Sequence, residues 1–169
     1  MYRRTAFDEV GGFDEDFFLY CEDTDLGLRM QWAGWTSVYV PDAVVLHRYS
    51  HTAGRVSPLK AYLVERNRLW VVAKNFPLRA WPMARLTTLA RFWWHLASVQ
   101  SGQGAAGEFA RKGGAGRLMW YVLKARVALL VAFPSLLAKR RRILRRITSE
   151  AFMALVRRHS ISAREVASL

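Results

Sequence analysis

Six carboxylates crowd into the nineteen residues from Gly11 to Arg29, in a chain that is otherwise strongly basic. The whole sequence holds 13 Asp and Glu against 26 Lys and Arg, so nearly half of the acids lie in this short stretch. Four aromatic side chains are interleaved with them: Phe13, Phe17, Phe18 and Tyr20. A solvated acidic loop needs no aromatic residues, whereas a site that tunes carboxylate pKa values against an apolar wall needs both. The stretch therefore predicts a functional site.

The composition limits the class of protein and of partner. With 169 residues, 52% of them hydrophobic, the chain is long and apolar enough for one ordinary domain and is not a disordered tail. Its formal net charge of +13 requires an anionic partner, such as nucleic acid, anionic lipid or a phosphorylated substrate. The single cysteine, Cys21, excludes an internal disulfide and a thiolate zinc site, and it is typical of a protein in a reducing cytosol.

Periodicity and turn residues predict an α/β first part and a helical remainder. A helix should begin near Asp23 and end at Gly34, because glycine readily adopts the left-handed cap conformation. β-Branched and aromatic residues then predict two strands, and the following segments predict two long helices. The strands should cover 35–40 and 43–46, and the helices 59–75 and about 81–99.

The longest apolar run, 127–138, is interrupted at Pro134. A membrane span needs roughly 20 apolar residues, so we predict no transmembrane helix. Extending the run towards Leu118 would bring in Lys124 and Arg126, which are costly at the centre of a bilayer. A helix lying in the membrane interface stays open.

Asp23 is the first candidate for chemistry. A carboxylate at the start of a helix can accept a proton from a substrate hydroxyl. Acids at this place more often cap the helix, and spacing alone favours the capping role for Asp23 and Asp25. The two acids have the Asp-x-Asp spelling of a metal motif, but at a helix start their side chains should diverge.

A histidine and an arginine, His47 and Arg66, are further candidates for the functional site. His47 could ligate a divalent cation together with an acid from elsewhere, although a single histidine in a loop is more often a polar surface residue. Arg66 belongs to a polar triplet inside an otherwise apolar helix. A phosphate contact by Arg66 and a solvated helix face explain that triplet equally well.

Eight bases in the last third of the chain alternate with apolar residues. They are Lys139, Arg140, Arg141, Arg142, Arg145, Arg146, Arg157 and Arg158. The pattern is typical of a basic amphipathic helix on anionic lipid, and nearby tryptophans are typical of a membrane interface. Nucleic-acid binding is the rival interpretation, but no helix-turn-helix, zinc-finger or RNP pattern accompanies the bases. A solvated helix face is disfavoured because acids are scarce there.

Several short motifs together resemble one family. They are Gly-Gly-Phe-Asp-Glu-Asp-Phe-Phe from Gly11, Glu-Asp-Thr-Asp-Leu from Glu22, Arg29, Ala33-Gly34-Trp35, Tyr39-Val40-Pro41, His47, Thr52-Ala53-Gly54 and Glu65-Arg66-Asn67-Arg68. This combination, spread over about residues 2–77, is similar to the C-terminal part of a family-two glycosyltransferase catalytic domain. It most resembles the rhamnosyltransferase-like or galactofuranosyltransferase-like branch. The resemblance implies a GT-A fold, a Rossmann-like α/β sandwich that uses a nucleotide-sugar donor.

The resemblance also implies roles for individual residues. Asp23 would be the general base that deprotonates the acceptor hydroxyl, and His47 would complete a site for a divalent metal, Mg or Mn. The acceptor would be bound by Asp14, Glu15, Phe18 and Glu22, with phosphate contacts or support from Asp25, Arg29 and Arg66. The implied reaction is inverting transfer of a hexose from a nucleotide-diphosphate sugar to a cell-envelope glycan or lipid-linked acceptor. The implied location is cytoplasmic, peripheral at the inner face of the cell membrane.

The resemblance and the composition divide the chain into four regions. We expect the C-terminal half of a GT-A domain over 1–58, helices packing on it over 59–100, a flexible connection over 101–117 and a basic amphipathic helical tail over 118–169. The family's donor-binding N-terminal half has no counterpart before Gly11, so we expect this chain alone to be inactive without such a half. The alternative is a non-catalytic accessory protein on a membrane surface.

Overall fold

The computed structural model describes residues 1–46, 57–101 and 115–160, and within these ranges the regular structure is helical. We number the helices in chain order. They are α1 Arg4–Glu9, α2 Glu22–Trp32, α3 Pro58–Asn75, α4 Trp81–Ser101, α5 Ala115–Arg141 and α6 Ser149–Arg158. Two short 3-10 turns, Glu15–Phe17 and Leu78–Ala80, precede α2 and α4.

Local sequence explains where the helices begin and end. Ser57 caps α3, because its hydroxyl accepts a hydrogen bond from the Lys60 amide at 3.1 Å, and Pro58 occupies the first turn. Thr148 caps α6 in the same way, through the Ala151 amide. The helices predicted over 59–75 and 81–99 and the helix that starts near Asp23 are thus confirmed to within a few residues.

Helices α3, α4 and α5 pack side by side. Arg68 on α3 donates a hydrogen bond to the Thr88 hydroxyl of α4. Arg68 lies seven residues before the end of α3, and Thr88 lies seven residues after the start of α4. Helix α4 therefore runs antiparallel to α3. Lys124 of α5 lies over the Tyr62 ring near the start of α3. Arg140, at the end of α5, binds carbonyl oxygens at the end of α3. Helix α5 is therefore parallel to α3, and residues 118–141 of the predicted tail pack along α3.

Two clusters form the apolar core. Phe17, Trp70, Val71, Ala73 and Leu136 join the loop before α2 to α3 and α5. Trp32, Ile143 and Phe152 join the end of α2 to the segment after α5 and to α6; the Trp32 and Phe152 rings stack with centroids 4.1 Å apart. Most of the loop and of α2 is thus fixed to the helices that follow.

The strands predicted over 35–40 and 43–46 are wrong for the residues that the structure describes, where the backbone is irregular and exposed. A strand exists only when a neighbouring strand accepts and donates its ladder of hydrogen bonds, and the described part of the chain offers no such partner. The Rossmann-like α/β sheet is accordingly not seen in the described ranges. The predicted connection over 101–117 lies outside them except at its helical ends.

One described helix, Met119–Arg141, is long and apolar enough by length and composition to cross a membrane, and 11% of its most apolar stretch is buried. No transmembrane helix was predicted, because the apolar run over 127–138 is shorter than a span and its extension brings in Lys124 and Arg126. Helix α5 continues through Pro134 to Arg141.

Candidate functional site

The loop between α1 and α2 has an unusual backbone. Phe18, Tyr20 and Cys21 have φ angles of 62°, 71° and 63°, in the left-handed region that L-residues with a Cβ rarely occupy. Each such residue costs on the order of 1–3 kcal/mol, so neighbouring groups must hold the loop in place. The fully buried Phe17 ring, packed edge-to-face against Trp70, provides one anchor. Backbone strain of this kind is often found at functional sites.

Two side chains of α3 hold the loop through its carbonyl groups. The Asn67 side-chain amide donates to the Phe17, Leu19 and Tyr20 oxygens at 2.9, 2.8 and 2.7 Å. Arg66 donates to the Phe17 oxygen at 2.9 Å and to the Asn67 side-chain oxygen at 2.8 Å. The polar triplet that the sequence left undecided thus braces the strained loop. The phosphate contact of Arg66 stays a prediction, and its guanidinium is already engaged here.

Asp25 is the centre of a buried polar network. Its side chain is fully buried and accepts hydrogen bonds from Arg29 Nε at 2.8 Å, Lys74 Nζ at 2.9 Å and Asn75 Nδ2 at 2.8 Å. Arg29 in turn donates to the Val10 and Gly12 carbonyl oxygens, both at 2.6 Å. Asp25 and Arg29 therefore connect α2 to α3 and to the turn after α1. Asp25 is therefore a buried residue and no surface cap, and the phosphate or support role expected for Asp25 and Arg29 stays a prediction.

Gly12 is the position in that turn where another residue would not fit. Its φ is +67°, and a Cβ atom there would lie 3.1 Å from the Phe7 ring. The glycine lets the chain pass close to Phe7 while its carbonyl oxygen reaches Arg29. The Gly-Gly pair at the start of the acidic stretch thus sets the direction in which Phe13 and Asp14 leave α1.

Lysines from two helices neutralise the acidic loop. Asp14 accepts from Lys74 at 2.6 Å and from Lys139 at 2.5 Å, and Lys139 also reaches Asp16 at 2.6 Å. Burial alone would raise the pKa of Asp14, but hydrogen bonds and charge from Lys139 and Lys74 outweigh it and lower the pKa below its ordinary value. Burial likewise opposes the charge on Lys139, yet its bonds to Asp14 and Asp16 raise its pKa. The Asp14 carboxylate is therefore held ionised.

An open pocket of about 480 Å³ lies beside this loop. It is lined by Phe13, Asp14, Glu15, Phe18 and Glu22. All four residues predicted to bind the acceptor are therefore brought to one place, together with a second aromatic ring. The Phe18 ring is 77% exposed, and the buried Glu22 Oε2 has no hydrogen-bond partner among the described residues. An exposed ring next to carboxylates and an unsatisfied buried oxygen suits a polyhydroxylated ligand.

A second cavity, of about 520 Å³, adjoins the same loop. Its walls include Asp14, Glu15 and Asp16 on one side and Arg29, Lys74, Lys139 and Arg142 on the other. Both lysines there are already paired with carboxylates of Asp14, Asp16 or Asp25, so neither ammonium group is unengaged.

Asp23, the predicted general base, is exposed in the first turn of α2, directly after Glu22. Its Oδ1 accepts from the Thr24 amide at 2.6 Å. Its neighbour two residues on, Asp25, points into the protein, so the two acids do diverge. Exposure leaves Asp23 accessible to a substrate hydroxyl, and its role as base stays a prediction.

The metal prediction finds no support in the described residues. His47 lies outside the described residues, and within them no group of three or more His, Cys, Asp or Glu side chains could hold a metal ion. Asp25 cannot serve as a ligand of an Asp-x-Asp motif, because both of its oxygens already accept hydrogen bonds. Within 1–46, 57–101 and 115–160, the residues present do not fit a divalent cation.

Comparison with known proteins places this site in a family. The model of glycosyl transferase family group 2 matches residues 1–156. The chain belongs to this family. The resemblance seen in the sequence motifs is thereby confirmed. No solved structure matches.

Curated rhamnosyltransferases are similar to part of this chain. N-acetylglucosaminyl-diphospho-decaprenol L-rhamnosyltransferase of Mycobacterium tuberculosis is 60% identical over 55 residues, which are 32% of this chain and 18% of that protein. Rhamnosyltransferase WbbL of Escherichia coli is 42% identical over 62 residues, 37% of this chain and 23% of that protein. The matched segment thus spans about a fifth of the length of these relatives.

Sequence reasoning missed the residues that organise the site from outside the acidic stretch. Lys74 and Asn75 lie seven and eight residues after Asn67, which places all three on one face of α3. That face also carries the buried Val71. Polar residues that recur on an apolar helix face could have predicted a buried polar network from the sequence. Lys139 offered no such signal, because it sits in a run of four bases and reaches the loop from 123 residues away. Lys139, Arg140 and Arg146 bind the chain itself rather than standing free for lipid.

Proposed function

We propose that this chain forms the acceptor side of an inverting glycosyltransferase. The reaction transfers a hexose from a nucleotide-diphosphate sugar to a cell-envelope glycan or lipid-linked acceptor at the inner face of the cell membrane. The observation that supports it most is the pocket in which Asp14, Glu15, Phe18 and Glu22 meet beside the exposed Asp23. The names of the two rhamnosyltransferase relatives favour rhamnose as the hexose.

The pocket offers what an acceptor sugar needs. The apolar face of a sugar ring can stack on Phe18, and its hydroxyls can donate to the carboxylates of Glu15 and Glu22. Lys74 and Lys139 hold Asp14 in one orientation, so this wall of the pocket is fixed before a ligand arrives. A sugar hydroxyl is also the partner that the buried Glu22 Oε2 lacks.

Asp23 would act as the general base. As the acceptor oxygen attacks the anomeric carbon, the O–H proton passes to the Asp23 carboxylate. A new C–O bond forms on one face of the sugar, and the bond to the diphosphate breaks on the other, which inverts the configuration. The nucleotide diphosphate leaves with the bonding electron pair. The strained loop before α2 fixes the distance between Asp23 and the pocket.

Donor binding would be completed by a further segment, in a longer polypeptide or in a partner. The described residues line the proposed acceptor pocket, and no group of three or more His, Cys, Asp or Glu among them could hold a metal ion. We therefore expect the purified 169-residue chain to bind acceptor and to show no turnover of nucleotide-diphosphate rhamnose. Measurable turnover by this chain alone would contradict the proposal that a further segment binds the donor.

Acceptor binding provides the direct test. A short-chain N-acetylglucosaminyl-diphospho-prenol is titrated into the full chain by calorimetry. Phe18→Ala should weaken binding about tenfold, because it removes the stacking ring. Tyr39→Ala is the matched control, since Tyr39 is 86% exposed and lines neither pocket. Equal affinity of the parent chain and Phe18→Ala would contradict the site.

The same titration separates the non-catalytic alternative. A protein that only docks on membranes would bind vesicles but not the soluble acceptor. Asp23→Asn should leave acceptor binding unchanged, because Asp23 takes the proton and does not line the pocket. In a transferase completed by its donor side, the same change should abolish transfer, and full activity of Asp23→Asn would exclude it as the base.

A further inference from the structure

Helix α5 presents an apolar stripe that nothing in the described structure covers. It consists of Met119, Trp120, Leu123, Val127, Leu130 and Val131, each more than half exposed. At 100° per residue these six fall within about a third of the helix circumference. The opposite face, with Ala125, Leu129 and Leu136, packs against α3 and the loop. The stripe is therefore a separate outward surface, distinct from the acceptor pocket.

Two cations border this stripe. Lys124 and Arg126 are exposed, and their positions on the helix fall just beyond its two edges. An apolar stripe flanked by cations is the pattern by which a helix lies in a membrane interface, since its apolar side chains enter the acyl boundary while the cations meet phosphates. The net charge of +13 acts in the same direction on an anionic surface.

Packing decides between a helix that spans the bilayer and one that lies on it. Helix α5 runs parallel to α3 over most of the length of α3, from Tyr62 to the Ala73 carbonyl. A spanning α5 would carry α3 into the hydrocarbon, together with Glu65 and Arg66. Charged groups at that depth are costly, and separating the helices would break the bonds of Arg140 and the core around Leu136.

We propose that α5 docks lengthwise on the surface of an anionic lipid bilayer through this stripe. Lys139, at the end of the same helix, binds Asp14 and Asp16 of the pocket loop. The acceptor pocket is thereby held at one end of the docked helix, at a fixed distance from the lipid surface. The docking surface does not depend on the proposed transfer reaction, because vesicle binding is measured without any sugar substrate.

Vesicle binding tests the surface. The full chain is sedimented with vesicles of phosphatidylcholine and phosphatidylglycerol, and with vesicles of phosphatidylcholine alone. Binding should require the anionic lipid, and Leu130→Ser/Val131→Ser should weaken it about tenfold. The control Val44→Ser/Val45→Ser removes two side chains of similar exposure, 79% and 81%, and should bind like the parent chain. Undiminished binding of the α5 variant would overturn the proposal.

Depth measurements distinguish lying from spanning. In a Cys21→Ser background, nitroxide labels are placed by Leu123→Cys and by Leu130→Cys, two turns apart on the stripe. A docked helix gives both labels the same shallow depth, whereas a spanning helix places the second far deeper and overturns the proposal. Sedimentation velocity tests whether the stripe instead binds a second copy of the chain. A dimer that dissociates in Leu130→Ser/Val131→Ser, with vesicle binding unchanged, would assign the stripe to a second copy instead.

Discussion

Segments 13–32 and 35–46 are neighbours in the chain, and both are rich in apolar and aromatic residues. The first is packed against other helices and the second is exposed. In the first, Phe17 and Trp32 are buried and polar side chains of α3 bind the backbone. In the second, Tyr39 and Leu46 are 86% and 96% exposed. The first segment finds its partners within the described chain, and the second does not. Apolar sequence alone therefore did not determine which segment would pack.

Breaking the buried network should have the largest effect on the packed segment. Asp25→Ala leaves Arg29 and Lys74 without their shared carboxylate, so we expect a loss of roughly 3–5 kcal/mol in the free energy of unfolding. Urea denaturation followed by circular dichroism measures it. Asp23→Ala, two residues earlier and exposed, should change stability by no more than about 0.5 kcal/mol. Equal effects of the two changes would refute the assignment of Asp25 as the hub.

Removing the brace on the strained loop should have the next largest effect. Asn67→Ala leaves the Leu19 and Tyr20 carbonyl groups without their side-chain donor and the Phe17 carbonyl group with Arg66 alone, and we expect a loss of about 1–3 kcal/mol. Asn67→Asp should be worse than alanine, because it sets an acceptor against three acceptors. Hydrogen exchange of the loop amides should rise in both variants. If aspartate were tolerated better than alanine, packing rather than donation would explain the role of Asn67.

The balance of charges around Asp14 should make stability depend on pH. Because the pKa of Asp14 is lowered in the folded chain, its stabilising contribution is present above the unfolded value of about 3.9 and is lost as pH falls through the folded value. The stability difference between the parent chain and Asp14→Asn should therefore shrink in acid. Lys139→Met removes one of the two donors and should reduce the pH dependence of that difference. A difference that does not change with pH would contradict the lowered pKa.

Most of the helices could be predicted because their signals are local. Ser57 and Pro58 mark the start of α3, and Pro77 marks its end, all within the sequence of the helix itself. The pocket could be predicted as a set of residues, since Asp14 to Glu22 are neighbours in sequence and the motif resemblance grouped them. The bracing lysines could not, because Lys139 meets Asp14 only after α3 and α5 have packed.

The smallest effect is expected in the exposed segment. Val44→Ser/Val45→Ser should change the free energy of unfolding by no more than about 0.5 kcal/mol, because both side chains are already largely in solvent. The same denaturation series measures it. A loss of about 2 kcal/mol or more would show that the segment is packed and would restore the predicted strand. The same double substitution can be measured in a longer polypeptide that contains this chain. If stability is lost only in the longer polypeptide, segment 35–46 packs against residues outside this chain, whereas segment 13–32 packs against α3.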